Sequence, residues 1–278
     1  MALREDVERP GGRPVERWRV TRLREGRVDE RPDFLAAEEP LEVRLGGERV
    51  AVTMRTPGND VELAVGFLVG EGIVRPGDVA GVTECRADEG DGGVADVRLA
   101  PGATPRAGWQ RNFYATSSCG VCGKASIDAV RVAAEPIGDG PSVETSILRT
   151  LPDRLREAQR VFDRTGGLHA AGLFTPDGDL VTLREDVGRH NAVDKVVGRH
   201  ALAGDLPLSQ RVLLVSGRAS FELVQKALVA GIPLVAAVSA PSTLAARLAS
   251  ESNMTLVGFL RPGGCNVYAG RERISGLA

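Results

Sequence analysis

Regular alternation of apolar and polar positions begins at Leu41. Leu41, Val43 and Leu45 alternate with polar residues, Gly46-Gly47 interrupts, and Val50, Val52 and Met54 resume the period of two. Strand side chains point to opposite faces in turn, and a glycine pair suits a tight connection, so this stretch predicts a β-hairpin. Thr56-Pro57-Gly58 signals a turn, and Asn59 with Glu62 three residues on predicts a capping box. Val61 to Val69 is apolar on nearly every side, which predicts a buried helix. Alternation returns at Val94–Leu99, a predicted strand. Leu151, Leu155, Ala158 and Phe162 share one helical face, so a single helix over 151–164 is expected, capped by Thr150 and ended by Gly166. Ala170–Phe174 and Leu180–Leu183 flank Pro176-Asp177-Gly178, a second hairpin.

The C-terminal third reads as βαβαβ. Val212–Val215, Leu234–Val238 and Leu256–Leu260 are short apolar runs, separated by helical stretches over 221–230 and up to about Ser252. Such alternation predicts a parallel sheet with right-handed crossovers. The organisation expected is a largely irregular charged tail over 1–30, a β-rich N-terminal part over 31–145 with hairpin, buried helix and a C-x-x-C loop, and an α/β part over 146–278.

Composition narrows the function classes. The chain has 278 residues, 42% hydrophobic and 26% charged, as expected of a globular enzyme. A net charge of −2 gives no bulk attraction to nucleic acid. No apolar run approaches the roughly 20 residues that span a bilayer, and the charged N-terminus carries no secretory signal. A cytoplasmic protein is expected, with no nucleic-acid or membrane partner. Four cysteines in such a chain do not build a disulfide framework.

Chemistry concentrates in three places. In parallel sheets, ligands bind beyond the carboxyl ends of the strands. The loops there carry Ser216, Gly217, Arg218, Ser220, Ser239, Ser242, Arg261, Gly263 and Gly264. Small residues, hydroxyls, free amides and arginine suit a phosphate-bearing ligand, although Ser and Gly also serve as ordinary caps and turns. The second place is Arg184-Glu185-Asp186-Val187-Gly188-Arg189-His190-Asn191, which leaves a strand and enters a helix with Asp186 placed to cap it. Cations at a helix N-terminus oppose the dipole. Either an anion compensates Arg189 and His190, or Arg189 pairs with Glu185 or Asp186. His169, beside an apolar strand, is open to a ligand role or a core role. The third place is Thr116-Ser117-Ser118-Cys119-Gly120-Val121-Cys122-Gly123-Lys124, expected to be a loop with reactive thiols and a lysine that favours thiolate. Three readings stand: sulfur or acyl carriage, a zinc-stabilised binding module, or a dithiol oxidoreductase. A closed zinc site needs four ligands, and Cys85 and Cys265 are isolated in sequence.

These segments together resemble the FdhD family of formate dehydrogenase accessory proteins, also described as sulfur carriers. The likeness rests on Thr56-Pro57-Gly58, Glu62-Leu63-Ala64, Gly66-Phe67-Leu68, Glu71-Gly72-Ile73, Cys119-Gly120-Val121-Cys122-Gly123 and Gly166-Gly167-Leu168-His169-Ala170-Ala171. It continues through Glu185–Lys195, Ser216-Gly217-Arg218-Ala219-Ser220, Val224-Gln225-Lys226, Val238-Ser239-Ala240-Pro241 and Leu256-Val257-Gly258-Phe259.

The resemblance implies a sulfurtransferase that takes sulfur from a cysteine desulfurase as a persulfide. The acceptor is the molybdenum cofactor, bis-molybdopterin guanine dinucleotide, before its insertion into formate dehydrogenase. Cys119 is the implied persulfide carrier and Cys122 its helper. The implied cofactor-contact segment is Phe259, Leu260, Arg261, Pro262, Gly263 and Gly264, which joins His169, Arg189, Ser216, Arg218 and Ser239 as candidate binding residues; GDP-like ligands would mimic the cofactor. The implied fold is a three-layer α/β/α sandwich with a mixed sheet, similar to cytidine deaminase, in a homodimer. Cys265 matches no family cysteine and receives no role. His169-Ala170-Ala171 lacks the glutamate that zinc deaminases use, so deamination is not expected.

Overall fold

A computed structural model describes residues 12–86, 92–107 and 134–276. The Cys119–Cys122 segment lies outside these described residues. The chain opens with β1 (Val15–Arg24) and β2 (Arg27–Ala36), an antiparallel hairpin in which Val15 pairs with Ala36 and Arg24 with Arg27. A largely irregular tail was expected over 1–30, and residues 15–30 depart from that expectation. Glu25 and Gly26 both take positive φ, 44° and 77°, the geometry of a tight hairpin turn. Both faces of the ribbon are mostly exposed, so no core selects the residue types and no alternation marks the strands.

A four-stranded sheet follows. It contains β3 (Glu39–Leu45) and β4 (Glu48–Arg55), the first predicted hairpin. The chain then enters α1 (Asp60–Gly70) and returns through β5 (Val79–Arg86) and β6 (Gly93–Leu99), giving the order β4-β3-β6-β5. The capping box at Asn59 does not form: Asn59 sits in the left-handed region at φ 60° with no side-chain cap. Glu62 instead makes a bidentate pair with Arg184, at 2.5 and 2.7 Å.

Next come β7 (Val143–Glu144), α2 (Thr145–Leu148), α3 (Leu151–Ala158) and α4 (Arg160–Thr165). The single helix expected over 151–164 is thus broken at Gln159. The cause is tertiary: the Glu185 carboxylate accepts the amides of Val161 at 3.0 Å and Phe162 at 2.8 Å, giving α4 its own capped start. Thr150 caps nothing, because its hydroxyl donates back to the Ile147 carbonyl at 2.8 Å. Gly166 ends α4 in the left-handed conformation, as the sequence predicts.

The second hairpin is β8 (His169–Phe174) and β9 (Leu180–Asp186), followed by α5 (Arg189–Ala203). The predicted βαβαβ unit is β10 (Val212–Val215), α6 (Phe221–Val229), β11 (Leu234–Ala237), α7 (Thr243–Glu251) and β12 (Thr255–Arg261). β13 (Gly264–Ala269) adds an antiparallel edge, and β14 (Ile274–Ser275) pairs with β7. The six-stranded sheet runs β13-β12-β11-β10-β8-β9, with β10, β11 and β12 parallel and β8 antiparallel to both neighbours. The architecture is mixed α/β.

The sheet is buried on both faces. Leu213, Val215, Val235 and Leu256 join residues of α1, α5, α6 and α7 in one apolar cluster; Val212, Leu214, Leu234 and Val257 join Leu148, Leu151 and Leu155 in another. Continuous apolar strands follow from this two-sided burial. The first cluster also takes in Leu41, Val43, Ala95 and Val97, so the four-stranded sheet shares a core with the six-stranded one. Glycine makes the joint. A Cβ at Gly66 would stand 1.8 Å from the Asp194 carbonyl oxygen, and one at Gly198 would stand 1.8 Å from that of Glu62. Only side-chain-free positions let α1 and α5 approach this closely. Among the described residues, no helix is long and apolar enough to cross a membrane.

Candidate functional site

Strand directions bring the predicted loops to one edge of the six-stranded sheet. The carboxyl ends of β9, β10, β11 and β12 meet there with the amino ends of β8 and β13, because β8 and β13 run antiparallel to their neighbours. His169 opens β8 opposite Asp186, which ends β9. Gly217 follows β10 and lies between two of the candidates: a Cβ there would stand 3.3 Å from His169 Nδ1 and 3.8 Å from Arg189 Cδ. His169, Arg189 and the Ser216–Ser220 loop therefore form one cluster, although 48 residues separate His169 from Gly217 in sequence.

Backbone bonds stitch the loops together. The Ser239 amide donates to the Gly217 carbonyl at 3.3 Å, the Phe259 amide donates to the Ser239 carbonyl at 3.1 Å, and the Ser242 amide donates to Ala219 at 3.0 Å. Ser216 has a structural duty as well: its hydroxyl oxygen accepts the Ala170 amide at 2.9 Å and its own amide donates to the Ala170 carbonyl. Arg218 and Arg261 are exposed. Phe259 holds a positive φ of 52° and is 40% exposed, a strained conformation for an aromatic residue. Leu260 is fully buried in the second apolar cluster, so only its backbone is open to a ligand. The Pro262 carbonyl accepts Arg149 Nε at 2.5 Å, and Pro262-Gly263 forms the turn into β13, which Gly264 opens opposite Arg261. Burial pushes the neighbouring Cys265 thiol above its ordinary range, with Arg149 pulling it back, so it is no ready thiolate.

The structure bears on the ion-pair reading of Arg189. Glu185 caps α4, and Asp186 faces Lys195 at 2.6 Å, so neither carboxylate pairs with Arg189. Arg189 Nε is shielded from solvent and has no hydrogen-bond partner among the described residues. A shielded guanidinium N–H without an acceptor is unfavourable unless a ligand supplies one. Burial and the nearby charges of Arg189 and His190 lower the His169 pKa, against a smaller opposing pull from Asp186. His169 is thus a neutral donor-acceptor and Arg189 the cation.

Asp186 does not cap α5 as expected. Gly188 is the cap residue, and Asp186 is wholly buried as the hub of a latch to the N-terminal sheet. Its carboxylate accepts the Gly188 amide at 2.8 Å, the Asn191 side-chain amide at 3.0 Å and the Thr56 amide at 3.2 Å. Lys195 donates to the Thr56 carbonyl at 2.8 Å, and Asn191 also donates to the Met54 carbonyl. A cleft of about 510 Å³ beside this latch is lined by both signs of charge, with Asp60, Glu84 and Glu185 facing Arg184 and Lys195.

Sequence reasoning missed a further cluster against this edge. His190 is 6% exposed, with Nε2 at 2.8 Å from Glu222 Oε2 and 3.2 Å from Ser220 Oγ. His190 was legible only as a helix-start cation, because its partner lies on another helix.

The fold and site define a mixed α/β protein whose strand-end loops gather at one edge of a six-stranded sheet, joined by a shared core to a smaller sheet. The sequence pattern of the FdhD/NarQ family matches residues 36–275, and the chain belongs to that family. It is 61% identical over 273 residues to the "Sulfur carrier protein FdhD" of Streptomyces avermitilis, covering 95% of this chain and 97% of the relative. The protein of the same description from Mycobacterium tuberculosis is 54% identical, covering 92% and 97%. In fold the chain is similar to the crystal structure of a putative formate dehydrogenase accessory protein from Desulfotalea psychrophila, with a TM-score of 0.72 at 24% identity, covering 94% of this chain and 99% of that one.

Proposed function

We propose that this chain is a sulfur carrier for formate dehydrogenase maturation. In this reading Cys119 is the carrier and the strand-end edge holds the guanine-nucleotide ends of the molybdenum cofactor. The observation that carries the ligand half is the shielded Arg189 Nε, without a hydrogen-bond partner among the described residues, beside His169 and Gly217. A diphosphate would supply the missing acceptor, small residues would let it approach, and hydroxyls and amides of the three loops would complete its hydrogen bonds. Relatives described as sulfur carriers support the other half.

The sulfur steps follow from thiol chemistry. The Cys119 thiolate attacks the terminal sulfur of a cysteine desulfurase persulfide; the donor S–S bond breaks, the donor leaves as thiolate, and Cys119 becomes the persulfide. Delivery of sulfide then needs two electrons. Attack by the Cys122 thiolate on Cys119 supplies them, forming the Cys119–Cys122 disulfide and releasing sulfide to the cofactor, which is the substrate here. The reading extends to a homodimer and a cytoplasmic location. Helices on both faces of the six-stranded sheet support a three-layer α/β/α sandwich of the cytidine deaminase kind.

Two measurements test this. Incubation with a cysteine desulfurase and labelled cysteine should load reductant-labile sulfur on the wild type and none on Cys119→Ala. Calorimetry should show GDP binding by the wild type, weakened at least about tenfold by Arg189→Met, the scale of losing a charge-assisted hydrogen bond to a phosphate. Full labelling of Cys119→Ala, or a wild type indifferent to GDP, refutes the corresponding half.

A further inference from the structure

Two serines begin helices at this edge in nearly identical backbone geometry, Ser220 at φ −84°, ψ 165° before α6 and Ser242 at φ −86°, ψ 161° before α7. Ser242 caps its helix in the ordinary way, its hydroxyl oxygen accepting the Ala245 amide at 3.2 Å. The Ser220 hydroxyl makes no cap. It lies instead 3.2 Å from Nε2 of His190, whose same nitrogen lies 2.8 Å from Glu222 Oε2. Backbone geometry is common to both serines, so the difference arises from the imidazole that α5 inserts between residues 220 and 222.

We propose that His190 is a positioning residue for the anion site. It ties the first turn of α5, which carries Arg189, to the first turn of α6, which ends the Ser216–Ser220 loop. Arg189 is its chain neighbour, and Gly217 lies three residues before Ser220. On its other side the loop is already fastened, by the Ala219–Pro241 bridge and the Ser242 amide on Ala219. His190 closes the remaining side, so Gly217 stays against His169 and the Arg189 side chain. His190 acts through Ser220 and Glu222 and need not touch the ligand. Glu222, in the first turn of α6, favours the dipole of that helix and directs the imidazole to the tie. The inference deepens the ligand half of the proposed function and rests on it.

The test is GDP affinity of the full chain by calorimetry. His190→Ala should weaken binding about tenfold, the equivalent of about one charge-assisted hydrogen bond. His190→Gln, which can place an amide where Nε2 stands, should recover most of that loss. Ser220→Ala, which removes one partner of the tie, should weaken binding by about threefold, a neutral hydrogen bond's worth. The His190→Ala/Ser220→Ala double variant should bind no more weakly than His190→Ala alone, because both act through one tie. Additive losses would mean that Ser220 contacts the ligand itself, and would overturn the assignment. So would a folded His190→Ala protein with wild-type affinity, or, if that variant does not fold, wild-type affinity in Ser220→Ala. A wild type that fails to bind GDP removes the ligand reading and this inference together; a wild type that binds, with unaffected variants, removes this inference alone.

Discussion

The most costly residues in the molecule are charged ones buried away from water. Lys226 reaches Asp194 at 2.8 Å and Glu71 at 3.2 Å, with the Phe67 ring 5.5 Å away, and all three charged side chains are almost fully enclosed. One cation faces two carboxylates, so the cluster is a proton acceptor. Burial raises the Asp194 pKa to about 6, against the opposing pull of Lys226 and with a further push from Glu71. Lys226 is held above its ordinary range: burial acts against its charge, and the two carboxylates outweigh it. The raised Asp194 pKa means that the folded protein holds a proton the unfolded chain releases. Its contribution is complete below pH 3.8 and is lost as pH rises through about 6. Asparagine mimics the protonated form without titrating. The stability of Asp194→Asn relative to wild type should therefore shift in the variant's favour as pH rises from 4 to 7, by about 2 kcal/mol in urea titrations. A pH-independent difference would show that Asp194 is not the titrating group. None of these partnerships was legible in sequence, because Glu71, Asp194 and Lys226 meet only when three helices pack. The spacing of Asp194 and Lys195 among Val193, Val196 and Val197 shows charges on a buried helix, and that was the available signal.

At the scale of elements, legibility follows burial. The three parallel strands and their helices were readable because two-sided burial imposes apolar runs and one-sided burial imposes helical spacing. The β1–β2 ribbon was not, since neither face meets a core. The break at Gln159 was not readable either, because the group that caps α4 comes from β9, 24 residues onward from Val161. The candidate site divides the same way. Chain order placed Ser216, Ser239 and Phe259 at strand ends, but the antiparallel course of β8 brings His169 to them, and no local pattern encodes that. Glycine at the α1–α5 crossing is the clearest case of tertiary demand on a single residue type. Gly66→Ala places a methyl group against the Asp194 backbone, which cannot rotate aside as a side chain would. The helices must separate, and the prediction is a loss of about 3 kcal/mol, the upper range for overpacking. The same change at Gly77, where an added Cβ meets nothing within 4 Å, should be nearly neutral. Equal urea midpoints for Gly66→Ala and wild type would contradict the close crossing.

Across the whole molecule the question is whether the four-stranded sheet and the six-stranded sheet are one folding unit. Apolar residues of β3, β6 and α1 belong to the same cluster as those of α5, α6, β10, β11 and β12. The Asp186–Lys195–Thr56 latch and the Glu62–Arg184 pair cross the same boundary. A continuous core has no plane along which one part can open while the other stays native, so the most protected amides of both parts should exchange only through shared unfolding. Ligand binding turns this into a measurement. GDP at about one hundred times its dissociation constant stabilises the native state by about 2.7 kcal/mol and slows exchange through global unfolding about a hundredfold. The expected result is the same slowing at Leu63 and Leu68 in α1 as at Leu213 and Leu214 in β10, although the proposed GDP site lies only at the strand ends. Slowing confined to β10, with α1 unchanged, would show that the small sheet opens by itself and that the shared apolar cluster does not couple it to the site.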